Sequence, residues 1–179
     1  MKFKYIVDSS AVLSFSKYDR YEKEYFTPLW NSFDKKVQEG TIAATDKVYG
    51  ELVFKDDDIK EWAELNKNIF EIPSPEVNRV SNILKEKFPK WYQRQINRPK
   101  SADMELICFA KYHGKILVTQ EGWNFTNKKE KEFKIPTICS KIGAYCHIGN
   151  VKDDESKKSN GFQCIDMLEL IKRENLHEY

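Results

Sequence analysis

The chain opens on a short apolar run, residues 3–7, that stops at Asp8, and similar runs recur at 42–44, 70–72, 115–119 and 135–139. Apolar runs of this length, closed by polar residues, predict buried strands. Between them the period lengthens. Phe26, Leu29, Trp30, Phe33 and Val37 recur at helical spacing up to Gly40, and Val77, Val80, Leu84 and Phe88 do so up to Pro89. Such stripes mark the buried faces of amphipathic helices. Thr45 is placed to cap a helix carrying Val48, Glu51 and Leu52, and Trp62, Leu65 and Ile69 predict another. Residues 101–113 predict a helix capped by Ser101 and stopped by Gly114. A last helix is expected around Ile165, Leu168 and Ile171.

Short strands alternating with helices predict a three-layer α/β fold around a mainly parallel sheet. The 179 residues suit a single domain, 1–179, with exposed loops at 121–134 and 150–161. Hydrophobic content of 40% with 13% aromatics excludes a disordered chain. No run approaches the roughly 20 apolar residues of a membrane span, so no membrane partner and a cytoplasmic location are expected. Cys108, Cys139, Cys146 and Cys164 form no CxxC pair and read as reduced, buried thiols. A zinc site from Cys139, Cys146, His147 and Cys164 would lack the paired short intervals of such motifs. Residues 55–60, "KDDDIK", lack the glycine and closing glutamate of a calcium loop.

Four acids fall where an α/β sheet binds its ligands, beyond the carboxyl ends of the strands. Asp8 closes the first strand, Asp103 lies in the first turn of its helix, Glu121 follows "ILVT" by two residues, and Glu51 lies about two turns into a helix after a strand. Each alone has a plain role as a cap, a dipole partner or a surface acid. Together, four carboxylates without a counter-charge would raise one another's pKa values, and a divalent cation would remove that penalty. Oxygen-only ligands suit Mg²⁺ or Mn²⁺, the ions of metal-assisted phosphodiester hydrolysis.

The segments "YIVDSSAVLSF" (5–15), "VYGELVF" (48–54), "SADMELICFAKYHG" (101–114) and "ILVTQE" (116–121), with "PLW", "KIPTIC" and "CIDMLELI" in support, resemble PIN-domain proteins. That is the fold of VapC-type toxin ribonucleases, and the closer likeness is to a branch described only as a domain of unknown function. The resemblance implies a central, mainly parallel five-stranded sheet of order 3-2-1-4-5 and an acidic Mg²⁺ or Mn²⁺ pocket. It places the metal-binding and catalytic acids at Asp8, Glu51, Asp103 and Glu121, with Ser9 or Ser10 and Thr119 as supporting polar groups. The fourth acid is usually an aspartate; here it is a glutamate, one methylene longer. The implied activity is a metal-dependent endoribonuclease, the toxin of a type II toxin–antitoxin pair, with RNA, a cognate antitoxin and a second copy of the chain as partners.

Residues 79–100 concentrate positive charge, with Lys85, Lys87, Lys90, Arg94, Arg98 and Lys100 interleaved with Phe88, Trp91 and Tyr92. Cations for phosphates and rings for bases are what RNA binding requires, and Trp91 is the expected stacking ring. The plain alternative makes the rings core and the lysines a solvated face. Lys128, Lys129, Lys131 and Lys134 alternate with Glu130 and Glu132 in an expected rim loop. An aspartyl phosphatase would need a second aspartate where Ser10 stands, and no glycine-rich phosphate loop occurs. The competing function is a catalytically weak or inactive PIN-like module that binds RNA or a protein.

Overall fold

The computed structural model describes residues 2–17, 19–54, 58–123 and 129–176. The central strand is β1 (Tyr5–Val7), buried at every position, and the chain turns at Asp8 directly into α1 (Ser9–Leu13). The stripe from Leu29 to Val37 lies on α2 (Thr27–Gln38), which starts with Pro28 in its first turn. There Phe33 meets Phe15, Trp30 and Trp62 with ring centroids 5.1, 6.0 and 6.1 Å away. β2 (Ile42–Thr45) follows, then α3 (Asp46–Leu52), α4 (Asp58–Leu65), β3 (Phe70–Glu71), α5 (Asn78–Lys87) and α6 (Pro89–Ile96).

The second half begins with α7 (Asp103–His113), whose C-cap Gly114 takes φ +58° and turns the chain into β4 (Ile116–Val118). Next come α8 (Ile135–Lys141), β5 (Tyr145–Ile148), β6 (Val151–Lys152), β7 (Gln163–Ile165) and α9 (Met167–Arg173). All residues of β1, β2 and β4 are buried. Side chains alternate across a sheet, so both faces there are covered.

The expected five-stranded sheet of order 3-2-1-4-5 is corrected by a mixed seven-stranded sheet of order β3-β2-β1-β4-β7-β5-β6. Its mixed character comes from the antiparallel β5–β6 pair, and its order from β7, which lies parallel between β4 and β5. The apolar run 135–139, expected as the last strand, forms α8 with Pro136 in its first turn. The expected loop 150–161 carries β6 and a 3₁₀ turn (Glu155–Asn160). The expected loop 121–134 carries a second such turn (Glu130–Glu132), and its residues 124–128 lie outside the described residues.

Two glycines make the insertion of β7 possible. Gly161 takes φ +76°, and a Cβ there would stand 3.1 Å from the Gly114 carbonyl oxygen. The starts of β4 and β7 thus approach backbone to backbone. Three small thiols fill the space behind them. Cys146 and Cys164 are register partners, both fully buried, and Cys139 on α8 is buried with them. Burial and the neighbouring Cys139 thiol push Cys164 well above the usual range, against the opposing hydrogen bond with Cys146, so it stays protonated and inert.

Gly161→Ala meets both an unfavourable φ and the Gly114 carbonyl. The expected loss is about 1–3 kcal/mol of stability, read from urea unfolding. Gly122→Ala, with open space around its Cβ position, serves as the control and is expected to change stability far less.

Candidate functional site

Asp8 begins the site because β1 ends in mid-sheet, between β2 and β4. Its backbone N–H donates to the Val118 carbonyl at 2.9 Å, tying it to the end of β4. The side chain does not cap α1. Instead Oδ2 accepts hydrogen bonds from Ser10 Oγ at 2.5 Å and Thr119 Oγ1 at 2.9 Å, and Oδ1 accepts from Ser9 Oγ at 3.4 Å. Ser10 and Thr119 in turn accept from the backbone N–H groups of Gln120 and Glu121. All three supporting hydroxyls predicted from the sequence therefore surround Asp8.

The other acids lie around the same mouth, but their oxygens are turned to protein donors. Glu51 Oε2 accepts from Ser9 Oγ, and its Oε1 accepts from the Ala102 N–H at 3.0 Å, at the entrance of α7. Glu121 Oε2 accepts from the Ile135 N–H at 2.7 Å, at the start of α8, while Oε1 pairs with Lys134 Nζ at 3.4 Å. Asp103 stands in the first turn of α7. Sequence reading did not single out Asp166, which caps α9 through the Glu169 N–H and also accepts from the Gly149 N–H.

This arrangement overturns the expected metal centre. Among the described residues, no three His, Cys, Asp or Glu side chains are grouped so that they could hold a metal ion. The donor set does not fit Mg²⁺ or Mn²⁺, because Asp8, Glu51 and Glu121 are engaged separately by hydroxyl, backbone and ammonium donors and, among the described residues, do not come together as one set of ligands. The expected Mg²⁺ or Mn²⁺ cofactor, with the metal-dependent ribonuclease activity and the toxin function built on it, is corrected by this finding. A zinc site from Cys139, Cys146, His147 and Cys164 fails the same test. His147 Nδ1 lies 3.2 Å from Glu169 Oε2 instead.

The acids and the basic segment meet at a cleft of about 990 Å³. Glu51, Asp103 and Glu121 line it together with Lys47, Phe54, Arg98, Lys100 and Ser101. Lys47 is already paired, at 3.9 Å, with Glu105. Phe54 is 85% exposed, and Lys100 Nζ lies 6.0 Å from its ring centroid. Phe54 was not singled out from the sequence, because an apolar residue just past a helix end carries no sign that it faces solvent.

Of the seven predicted RNA contacts, Arg98 and Lys100 line this cleft, and Lys90, Arg94 and Arg98 line a second groove. Lys85 and Lys87 are exposed on α5. Trp91 is corrected: at 1% exposure, with its Nε1–H donating to the Phe133 carbonyl at 3.1 Å, it is a core residue that offers no face to a base. Lys128 and His177 lie outside the described residues.

Burial, with Asp103 and Glu121 nearby, pushes Asp8 from 3.8 up to about 7, against the opposing effect of its hydroxyl donors. Below about pH 4 the carboxyl is neutral both folded and unfolded. Between pH 4 and 7 the unfolded chain releases the proton that the folded chain keeps, so stability falls as pH rises and the loss is complete above about 7. The ionised group costs on the order of 4 kcal/mol. Asp8→Asn keeps the acceptor oxygen and removes the charge. It is expected to raise the unfolding temperature at pH 8 and leave it nearly unchanged at pH 4, as thermal melts at both values would read. Equal effects at both would refute a buried, uncompensated charge.

Comparison with curated proteins and with solved structures finds no match. A family model matches residues 5–149, most of the chain and all the acids of the site. The chain therefore belongs to the family described as Domain of unknown function (DUF4411), part of the PIN-like fold clan.

Proposed function

We propose that this chain is a catalytically inactive PIN-like module that binds single-stranded RNA across the mouth of the acid-floored cleft. The observation that carries the reading is Phe54, a large ring 85% exposed beside the Lys100 ammonium, with Arg98 on the same rim. An exposed ring beside cations that make no ion pair among the described residues is the combination that stacks a base and holds its phosphate. The VapC-type resemblance supports RNA as the ligand class, without the chemistry of that group. Acids on the floor repel phosphate, so the strand lies over the rim and not in the depth of the cleft.

Filter binding and gel analysis of one end-labelled, mixed-sequence single-stranded RNA test this together. The expected result is salt-sensitive binding that chelator leaves unchanged, with the RNA recovered intact in Mg²⁺ or Mn²⁺. Phe54→Ala is expected to weaken binding by about 1–3 kcal/mol, the contribution of one stacked base. Metal-dependent cutting, or full affinity in Phe54→Ala, would overturn the reading.

A further inference from the structure

A second groove, of about 720 Å³, runs along α6 against the 3₁₀ turn at Glu130–Glu132. Its walls carry Lys90, Arg94, Arg98 and Lys131 with the amides of Gln93 and Asn97, and among the described residues no carboxylate lines it. Of the two acids on the turn, Glu130 is committed to the first turn of α6, where its Oε1 accepts from the Lys90 and Trp91 N–H groups at 2.6 and 3.2 Å, and Glu132 lies 3.8 Å from the Lys129 ammonium. Arg94 is held by its own bond from Nη1 to the Lys131 carbonyl, at 2.7 Å, which clamps the turn to the helix. Lys90, Arg98 and Lys131 are exposed and make no ion pair among the described residues. Gln93 donates to Asn97 Oδ1 at 3.2 Å, which leaves the Asn97 amide N–H₂ and the Gln93 carbonyl turned outward.

Arg98 lines both this groove and the cleft. The two depressions therefore share a wall, and a strand leaving the cleft past Arg98 enters the groove directly. Resting on the RNA reading above, we infer that the bound strand continues over Arg98 and along α6. The groove takes its phosphates on Lys90 and Lys131, with the outward amides facing ribose hydroxyls or base edges. The eight residues of α6 add ~12 Å of track. The occupant is a nucleic-acid strand and not an acidic peptide, because the track begins at an exposed ring and repeats cations around amides that can both donate and accept.

The test compares fluorescein-labelled oligouridylates of four and twelve nucleotides by fluorescence anisotropy, on wild type and on Lys90→Gln/Lys131→Gln, with circular dichroism to confirm the fold of the variant. Wild type is expected to bind the twelve-mer roughly tenfold or more tighter than the four-mer. In the variant that advantage collapses, and the salt slope for the twelve-mer falls by about 0.7 for each phosphate that is no longer neutralised. Persistence of the length advantage and of the slope in the folded variant overturns the groove and leaves the cleft reading standing. Failure of wild type to bind either oligomer at low salt overturns both. Capture of polyglutamate at least as tightly as the twelve-mer also overturns the groove as a nucleic-acid track.

Discussion

Everything around the carboxyl edge of the sheet depends on how a buried aspartate without a counter-charge is accommodated. Asp8 is 4% exposed at the end of the central strand, and among the described residues no cation pairs with it. Three hydroxyls do, and two of them are themselves fixed by backbone N–H groups of the turn after β4. The hydroxyl donors favour the ionised carboxyl, but burial and the nearby Asp103 and Glu121 outweigh them. The cage of hydroxyls joins β1, α1 and the β4 turn through side chains that are adjacent in space and about 110 residues apart in the chain.

Glu51 and Glu121, with two acids outside the site, follow a common rule. Short helices leave their first N–H groups without intrahelical partners, and those groups favour negative charge. Glu51 meets the N–H at the entrance of α7, Glu121 that at the start of α8, Glu130 those in the first turn of α6, and Asp166 one in the first turn of α9. Four carboxylates from four parts of the chain thus act as helix caps, three of them from a distance. Each of these acids is anchored at a different helix start, and among the described residues they do not group as a metal centre.

Much of the scaffold was legible because periodicity reports burial. The stripe on α2, the strands expected at 42–44 and 115–119, and the Gly114 stop of α7 follow from local pattern alone. Residues 135–139 were misread because all five are buried, so neither a two-residue nor a 3.6-residue period shows. Pro136, suited to a first helical turn, was the available signal. The place of β7 was not legible, since it rests on two loop glycines meeting 47 residues apart. The gathering of acids at one mouth was readable from their places after strands. The directions of Asp8, Glu51 and Glu121 were not, because each accepts from a donor 14 to 111 residues away.

The separation of charge at the cleft follows from that division of labour. With Glu51 and Glu121 turned to backbone donors and Lys47 turned to Glu105, Asp103 is the acid left facing the cleft without a hydrogen-bond partner among the described residues. Arg98 and Lys100 stand on the opposite side of the balance, on the segment that leads into α7. A floor that repels phosphate beneath a rim that attracts it does not draw a polyanion inward. On the RNA-binding proposal such a rim would hold a strand at the surface, where cations are solvent-facing and screened, so that attraction there would be steeply dependent on salt. Under those conditions an exposed ring would contribute what screened charges lose, because stacking is insensitive to ionic strength. The placement of one apolar side chain in solvent, costly to a free protein, is then the feature that a nucleic-acid ligand would offset.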